Sequence, residues 1–217
     1  LDQGTLIGTT DLPYTGDPAD ARTSQPEIEY LLSAVEQVFG DLQLNENHIA
    51  WHYSGVRPLP YVDAGSPAAI TRRHWLHAHD NAPVPLVSIV GGKLTTCRSL
   101  AEEVAARVCS QLEVPRLASS RERPIPDRQP QVESPHELAR WSVQHTWAHT
   151  LGDLVERRLM LLYDRSLSPE LLHQLAQLLV DHNLLTSDEV DAAVDTCATR
   201  LQTHFGLHCW PESSAAQ

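Results

Sequence analysis

Three cations stand where the chain is stiff enough to aim them. Lys93 follows Gly91 and Gly92 at the end of the apolar run 84–90 (VPLVSIV), a buried-strand pattern. After it Leu94, Cys97, Leu100, Val104, Val108 and Leu112 recur at helical spacing. Strand, Gly-Gly turn and helix in that order suit an anion. Glycine lets the backbone approach a ligand closely, and the first N–H groups of the helix are unpaired and carry partial positive charge. The alternative is a tight strand-to-helix turn with Lys93 in water. Arg57 stands in the turn Ser54-Gly55-Val56-Arg57-Pro58-Leu59, where Gly and Pro set a rigid bend, and Arg72 follows Thr71 in the strand-prone run 70–77. A guanidinium fork matches phosphate or carboxylate oxygens in pairs. The three residues together read as a site for a small anionic substrate.

The nucleotide-loop patterns do not fit. A Walker A loop needs glycine at position 87, which is Val, and Ser or Thr after Lys93, which is Leu94; no Gly-x-Gly-x-x-Gly occurs either. No Ser-His-Asp set, paired-carboxylate motif or reactive-cysteine motif is legible by spacing. Cys97, Cys109, Cys197 and Cys209 are scattered singly, without the Cys-x-x-Cys spacing of zinc or thiol-redox sites, and read as reduced thiols of a cytoplasmic protein. His145 and His149, like His204 and His208, lie four apart on helical patterns. They lack the Glu of a zinc-protease motif and a third ligand, so no metal is expected.

Charge narrows the partners further. The 217 residues carry 16 Lys plus Arg against 28 Asp plus Glu, a net of -12. With no basic run to track a phosphodiester backbone, nucleic acid is excluded. No apolar stretch approaches the ~20 residues that cross a bilayer, and no signal-like segment opens the chain. Leu1 is not an initiator Met, so the sequence is expected to be the C-terminal part of a longer chain.

The elements that must position these residues follow from local pattern. Residues 4–10 (GTLIGTT) read as a strand, and 11–18 as a turn-rich loop. Ser24 and Glu27 form a Ser-x-x-Glu capping box for a helix with an apolar stripe of Ile28, Leu31, Leu32, Val35, Val38 and Phe39, stopped by Gly40. Residues 49–53 (IAWHY) read as a strand feeding the Arg57 turn, and 60–67 as a loop. Residues 115–135, with five prolines and little apolar periodicity, are expected to link a domain spanning 1–114 to a helical domain spanning 136–210, with a tail at 211–217. In that second domain, helices are expected over 136–149, 151–163, 169–181 with Ser168 as N-cap, and 189–205 with a Thr186-x-x-Glu189 box and a stop at Gly206. Leu171, Leu172, Leu175, Leu178 and Leu179 form its core stripe.

One ordered set of motifs is more specific than any of these pieces. Gly8-Thr9-Thr10-Asp11, Gly16-Asp17-Pro18, Tyr30-Leu31-Leu32, Ser54 to Leu59, Ala69-Ile70-Thr71-Arg72 and Ser88 to Thr96 (SIVGGKLTT) occur in the order found in the C-terminal half of FAD-dependent glycerol-3-phosphate dehydrogenases. Further on, Asp153-Leu154-Val155-Glu156-Arg157-Arg158 resembles the Asp-x-x-x-Arg-Arg signature of that family's helical C-terminal domain, so the resemblance is read over nearly the whole chain. Cys97 departs from the pattern, which has Tyr there.

The resemblance implies an α+β fold: the substrate side of an FAD-dependent oxidoreductase, with mixed or antiparallel strands and helices, followed by an all-α domain. It implies oxidation of sn-glycerol 3-phosphate to dihydroxyacetone phosphate, with FAD as cofactor and a quinone as electron acceptor; an oxidase using oxygen and a non-catalytic phosphate-binding module are the alternatives. Carried onto this sequence, Arg57 and Arg72 would grip the substrate phosphate, Lys93 would lie beside substrate and flavin as the catalytic cation, and Gly91, Gly92, Leu94 and Thr95 would line the flavin-contacting loop. The family's FAD-binding N-terminal half is not among these residues, so this polypeptide alone is expected neither to hold FAD tightly nor to turn over substrate. Peripheral contact with the inner face of the cell membrane and a homodimer complete the expected partners.

Overall fold

The computed structural model of the chain describes residues 4–57, 59, 73–124, 132, 134–163 and 167–207. Arg72, the loop 60–67, most of the Pro-rich run after 124, His208, Cys209 and the tail 211–217 lie outside them. The chain divides into two compact units, one made of Leu1–Thr10, Thr15–Gly55 and Gln129–Gln217, the other of Asp11–Tyr14 and Val56–Arg128.

In the first unit, α1 (Gln25–Val38) starts as its sequence dictates. The Ser24 N–H and hydroxyl both donate to Glu27 Oε2, at 3.0 and 2.8 Å, and the Thr10 hydroxyl donates to the other carboxylate oxygen at 2.6 Å. Those bonds hold the Glu27 carboxyl below the usual range, the Thr10 bond foremost. Of the expected stripe, Ile28, Leu31, Leu32 and Val35 are half-buried, whereas Val38 and Phe39 are exposed. Residues 4–10 and 49–53 belong to no strand, which corrects both strand expectations. A β-prone segment needs a ladder partner, and neither segment has one among the described residues.

The second unit carries the antiparallel pair β1 (Trp75–Ala78) and β2 (Val87–Val90), in register Trp75 with Val90 and Ala78 with Val87. A two-stranded ribbon is marginal by itself. A 3-10 turn, Leu94–Thr96, then leads into α2 (Cys97–Gln111). Helices with one small antiparallel sheet make the chain α+β in that coarse sense.

The buried core lies elsewhere. No described residue of 4–124 is buried, while Ala139, Leu154, Val155, Leu172, Leu175, Leu179, Val194 and Leu201 are sealed from solvent in the first unit. They come from α3 (Pro135–His145), α4 (Pro169–Asp181), α5 (Val190–Phe205) and the intervening π-helical turn Asp153–Arg158. Ser134 and Ser168 cap α3 and α4 by accepting from the Glu137 and Leu171 N–H groups. Gly206, at φ +67, closes α5 as a left-handed C-cap.

The segment 151–163 departs from the regular helix expected of it. The Asp153 carboxylate accepts from the His149 and Thr150 N–H groups at 3.0 Å each, and the Thr150 hydroxyl accepts in return from the Asp153 N–H at 3.1 Å. After the π turn, Met160 takes φ +53 and a 3-10 turn, Leu161–Tyr163, follows. These side-chain bonds compete with the regular ladder. No helix of the described residues is long and apolar enough to cross a membrane.

Candidate functional site

The Gly-Gly turn is where local sequence and close packing meet. Gly91 and Gly92 adopt φ +73 and +110, conformations that only glycine takes without strain. The neighbour that demands Gly91 is the chain's own backbone, since a Cβ there would stand 3.1 Å from the Arg73 carbonyl oxygen. A Cβ on Gly92 would meet Leu100 Cδ2 at 3.3 Å. The glycines thus let the entry to β1 pass beside the exit from β2, a reason for glycine that the strand-turn-helix pattern could not reveal.

Beyond the glycines the turn faces solvent. Lys93 is exposed, and its carbonyl accepts from the Thr96 N–H at 3.0 Å and the Thr96 hydroxyl at 3.1 Å. Leu94 is 90% exposed and Thr95 is exposed. Among the described residues, Thr96 is the first in this turn whose N–H has an acceptor. The turn therefore presents unpaired N–H donors and a cation, a donor set that fits the carbonyl-rich edge of a flavin ring or an anionic oxygen.

Arg57 is held by a residue that spacing alone did not single out. Its Nη1 donates to Asp11 Oδ2 at 2.7 Å, both side chains remaining about two-fifths exposed, which ties the Gly8–Asp11 motif to the Ser54–Leu59 motif. Arg72 lies outside the described residues. Its neighbours Arg73 and His74 abut the Gly-Gly turn, and His74 Nε2 lies 2.9 Å from Glu103 Oε2 on α2.

An open groove of about 760 Å³ runs elsewhere along α2, lined by Ser99, Glu102, Glu103, Arg116 and Arg121 among others, and by none of the expected site residues. Along it Arg98 donates to the Ser120 and Arg123 carbonyls, and Glu102 accepts from the Ser120 N–H and hydroxyl and pairs with Arg116. The two side chains strap residues 116–123 to the helix. In the helical unit, His145 stacks on Trp141 and His149 on Trp147, with ring centroids 5.0 and 5.1 Å apart. Among the described residues, no group of three or more metal-ligating side chains is placed to hold an ion.

The arginine of the Asp-x-x-x-Arg-Arg signature has a structural use here. Asp153, nearly buried, pairs with Arg157 one turn on, and Glu156 takes Arg200 of α5 in a fork, Nε to Oε1 at 2.6 Å and Nη2 to Oε2 at 3.0 Å.

With this geometry in view, half of the chain is similar to known proteins of one class, the dehydrogenases of polyol phosphates. The particular proteins are chiefly glycerol-3-phosphate dehydrogenases. The aerobic glycerol-3-phosphate dehydrogenase of Escherichia coli (strain K12) is 46% identical over 109 residues, 50% of this chain and 22% of that protein. The glycerol-3-phosphate dehydrogenase of Synechocystis is 43% identical over 49% of this chain and 20% of its own length. A D-erythritol 1-phosphate dehydrogenase of Brucella abortus is 40% identical over 45% of this chain. The resemblance stated from the motifs is thereby borne out, with one correction of extent: these matches span half of the chain rather than nearly all of it, and about a fifth of the relatives' length. No protein-family model matches the chain.

Proposed function

We propose that this chain is the substrate-side and helical C-terminal portion of a flavoenzyme that oxidises sn-glycerol 3-phosphate to dihydroxyacetone phosphate and passes the electrons to a quinone. The observation that carries the reading is the 46% identity to the Escherichia coli aerobic glycerol-3-phosphate dehydrogenase. The absence of any buried residue among the described residues of 4–124 supports it, because apolar side chains such as Trp75, Ile89 and Leu94 would find cover in the larger core of a complete oxidoreductase domain. In this reading residues 1–114 belong to that domain, 115–135 connect, and 136–210 form the helical domain.

The roles follow from the residues. Arg57 and Arg72 grip the phosphate; the Asp11 pair engages one nitrogen of the Arg57 fork and leaves other N–H donors for phosphate oxygens. Fixing the phosphate orients C2 and its hydroxyl, so that binding energy remote from the reacting carbon becomes alignment. Bound FAD would supply the two-electron acceptor for the hydride leaving C2. Lys93 and the N–H donors of Gly91, Gly92, Leu94 and Thr95 hold positive potential where negative charge develops during that transfer. Membrane contact at the inner face of the cell and a homodimer belong to the same proposal.

The D-erythritol 1-phosphate dehydrogenase of Brucella abortus favours a second reading, in which the same phosphate grip serves a four-carbon substrate. Anaerobic mixing of the complete flavin-loaded enzyme with each substrate decides between them. Bleaching of the flavin absorbance by glycerol 3-phosphate at the lower concentration supports the first reading. Bleaching by D-erythritol 1-phosphate alone selects the second, and none with either overturns both. Stoichiometric peroxide on admitting oxygen would replace the quinone with oxygen as acceptor.

A further inference from the structure

Two consecutive glycines make a soft joint. Gly91 and Gly92 leave the angle between β2 and α2 open as far as local sequence goes, because a residue without a Cβ has a wide choice of φ and ψ. A third element sets that angle. His74 is next in register after the pair Trp75 with Val90, so it falls opposite Gly91. A Cβ on Gly91 would stand 3.7 Å from His74 Cα, and one on Gly92 3.7 Å from His74 Cβ. From there the ring reaches α2, with Nε2 2.9 Å from Glu103 Oε2, while Leu100, one turn before Glu103, closes on Gly92. Arg98 and Glu102, which hold the run 116–123, sit about 150° round the helix from Leu100 and Glu103 at 3.6 residues per turn. The first two turns of α2 are thus held on two opposed faces, and all of these contacts lie within the second unit.

We infer that His74 and Glu103 are positioning residues for the Lys93 turn: their bond braces α2 against the entry to β1 and so fixes where Lys93 and the N–H groups of Leu94 and Thr95 stand. The role of that turn rests on the function proposed above, whereas the brace does not. The His74 side chain is 23% exposed and that of Glu103 55%, so the pair adds little to stability and its loss reads chiefly as orientation. Without it the Gly-Gly joint lets the tip of α2 swing, and a displacement of ~1 Å in a positioning group can cost up to about a hundredfold in rate.

The test uses His74→Ala, Glu103→Ala, Glu103→Gln, the double variant of the two alanines and Lys93→Ala, all in the complete flavin-loaded enzyme. Hydrogen exchange of the peptide 92–103, flavin content, KM for glycerol 3-phosphate and the rate of flavin reduction at saturating substrate are read in each. His74→Ala and Glu103→Ala are each expected to speed that exchange and to slow flavin reduction about tenfold, with flavin content held and KM within about twofold, since the phosphate grip is made by other residues. Glu103→Gln keeps an acceptor oxygen for the ring and should recover most of the rate. The double variant should lose no more than either single one, because both remove the same interaction. Faster exchange with unchanged flavin reduction overturns positioning. Unchanged exchange in Glu103→Ala overturns the brace, as do additive losses or a glutamine variant as slow as the alanine one. Lost flavin, or KM raised in step with the slower reduction, overturns positioning in favour of a merely structural pair. If His74→Ala does not accumulate as folded protein, the two variants of the exposed Glu103 carry the test. Normal flavin reduction in Lys93→Ala removes the role of the turn in the proposed function, and the positioning role with it, while the exchange still reports on the brace.

Discussion

The Arg57 guanidinium and the Asp11 carboxylate meet at 2.7 Å across 46 positions of sequence. The pair is about two-fifths exposed, so its worth to stability is at most about 1 kcal/mol. In the proposed function its use is orientation. Arg57→Ala is therefore expected to leave the thermal midpoint and flavin content nearly unchanged while raising KM for glycerol 3-phosphate strongly. Steady-state kinetics beside a melting curve check this, and a lowered midpoint with normal KM would make Arg57 a structural residue.

Gly91→Ala places a Cβ 3.1 Å from the Arg73 carbonyl at φ +73. The expected cost is about 1–2 kcal/mol, read as a lower denaturation midpoint. A change near zero would show that the entry to β1 gives way easily and that glycine is needed there for something other than the chain's own packing.

Asp153 is the nearly buried hub of the 149–157 turn, accepting two backbone N–H bonds and pairing with Arg157. Asp153→Ala leaves those donors without their acceptor and is expected to cost about 3 kcal/mol by denaturant unfolding. Asp153→Asn keeps an acceptor and loses only the charge, so its loss should be clearly smaller. Equal losses in the two variants would assign the effect to the ion pair instead.

Burial pushes the His52 imidazole below its ordinary value of 6.5. The unfolded chain then takes the proton more readily than the folded one. The stability that the neutral ring contributes is present above pH ~6.5 and is lost as the pH falls through the lower folded value. Wild-type protein should lose more of its thermal midpoint between pH 7.5 and pH 5 than His52→Gln does. Parallel curves would show that the ring is not desolvated in solution.

How much of this was legible in the letters depends on how local each cause is. Ser24 with Glu27, Ser168 with the Leu171 N–H, and Gly206 at the end of α5 are bonds and torsions within a turn, and spacing revealed all three. The leucine stripe of α4 was legible because a period of 3.6 puts those residues on one face. The ordered motifs pointed to the glycerol-3-phosphate dehydrogenases, and the comparisons agree over half of the chain. The strands expected at 4–10 and 49–53 are different, because a β-prone run states a preference and only a partner elsewhere in the chain makes a ladder. Residues 51–53 found Phe205, Gly206 and Tyr163 instead. Asp11 beside Arg57, Arg73 against Gly91 and His52 over Gly206 are likewise encounters of residues far apart in sequence. By itself the sequence determined caps and helix faces, since these depend on neighbours within one or two turns, and the resemblance, through the order of its motifs; that Arg57 meets Asp11, Gly91 the Arg73 carbonyl and His52 Gly206 was decided only when the folded chain closed those long loops.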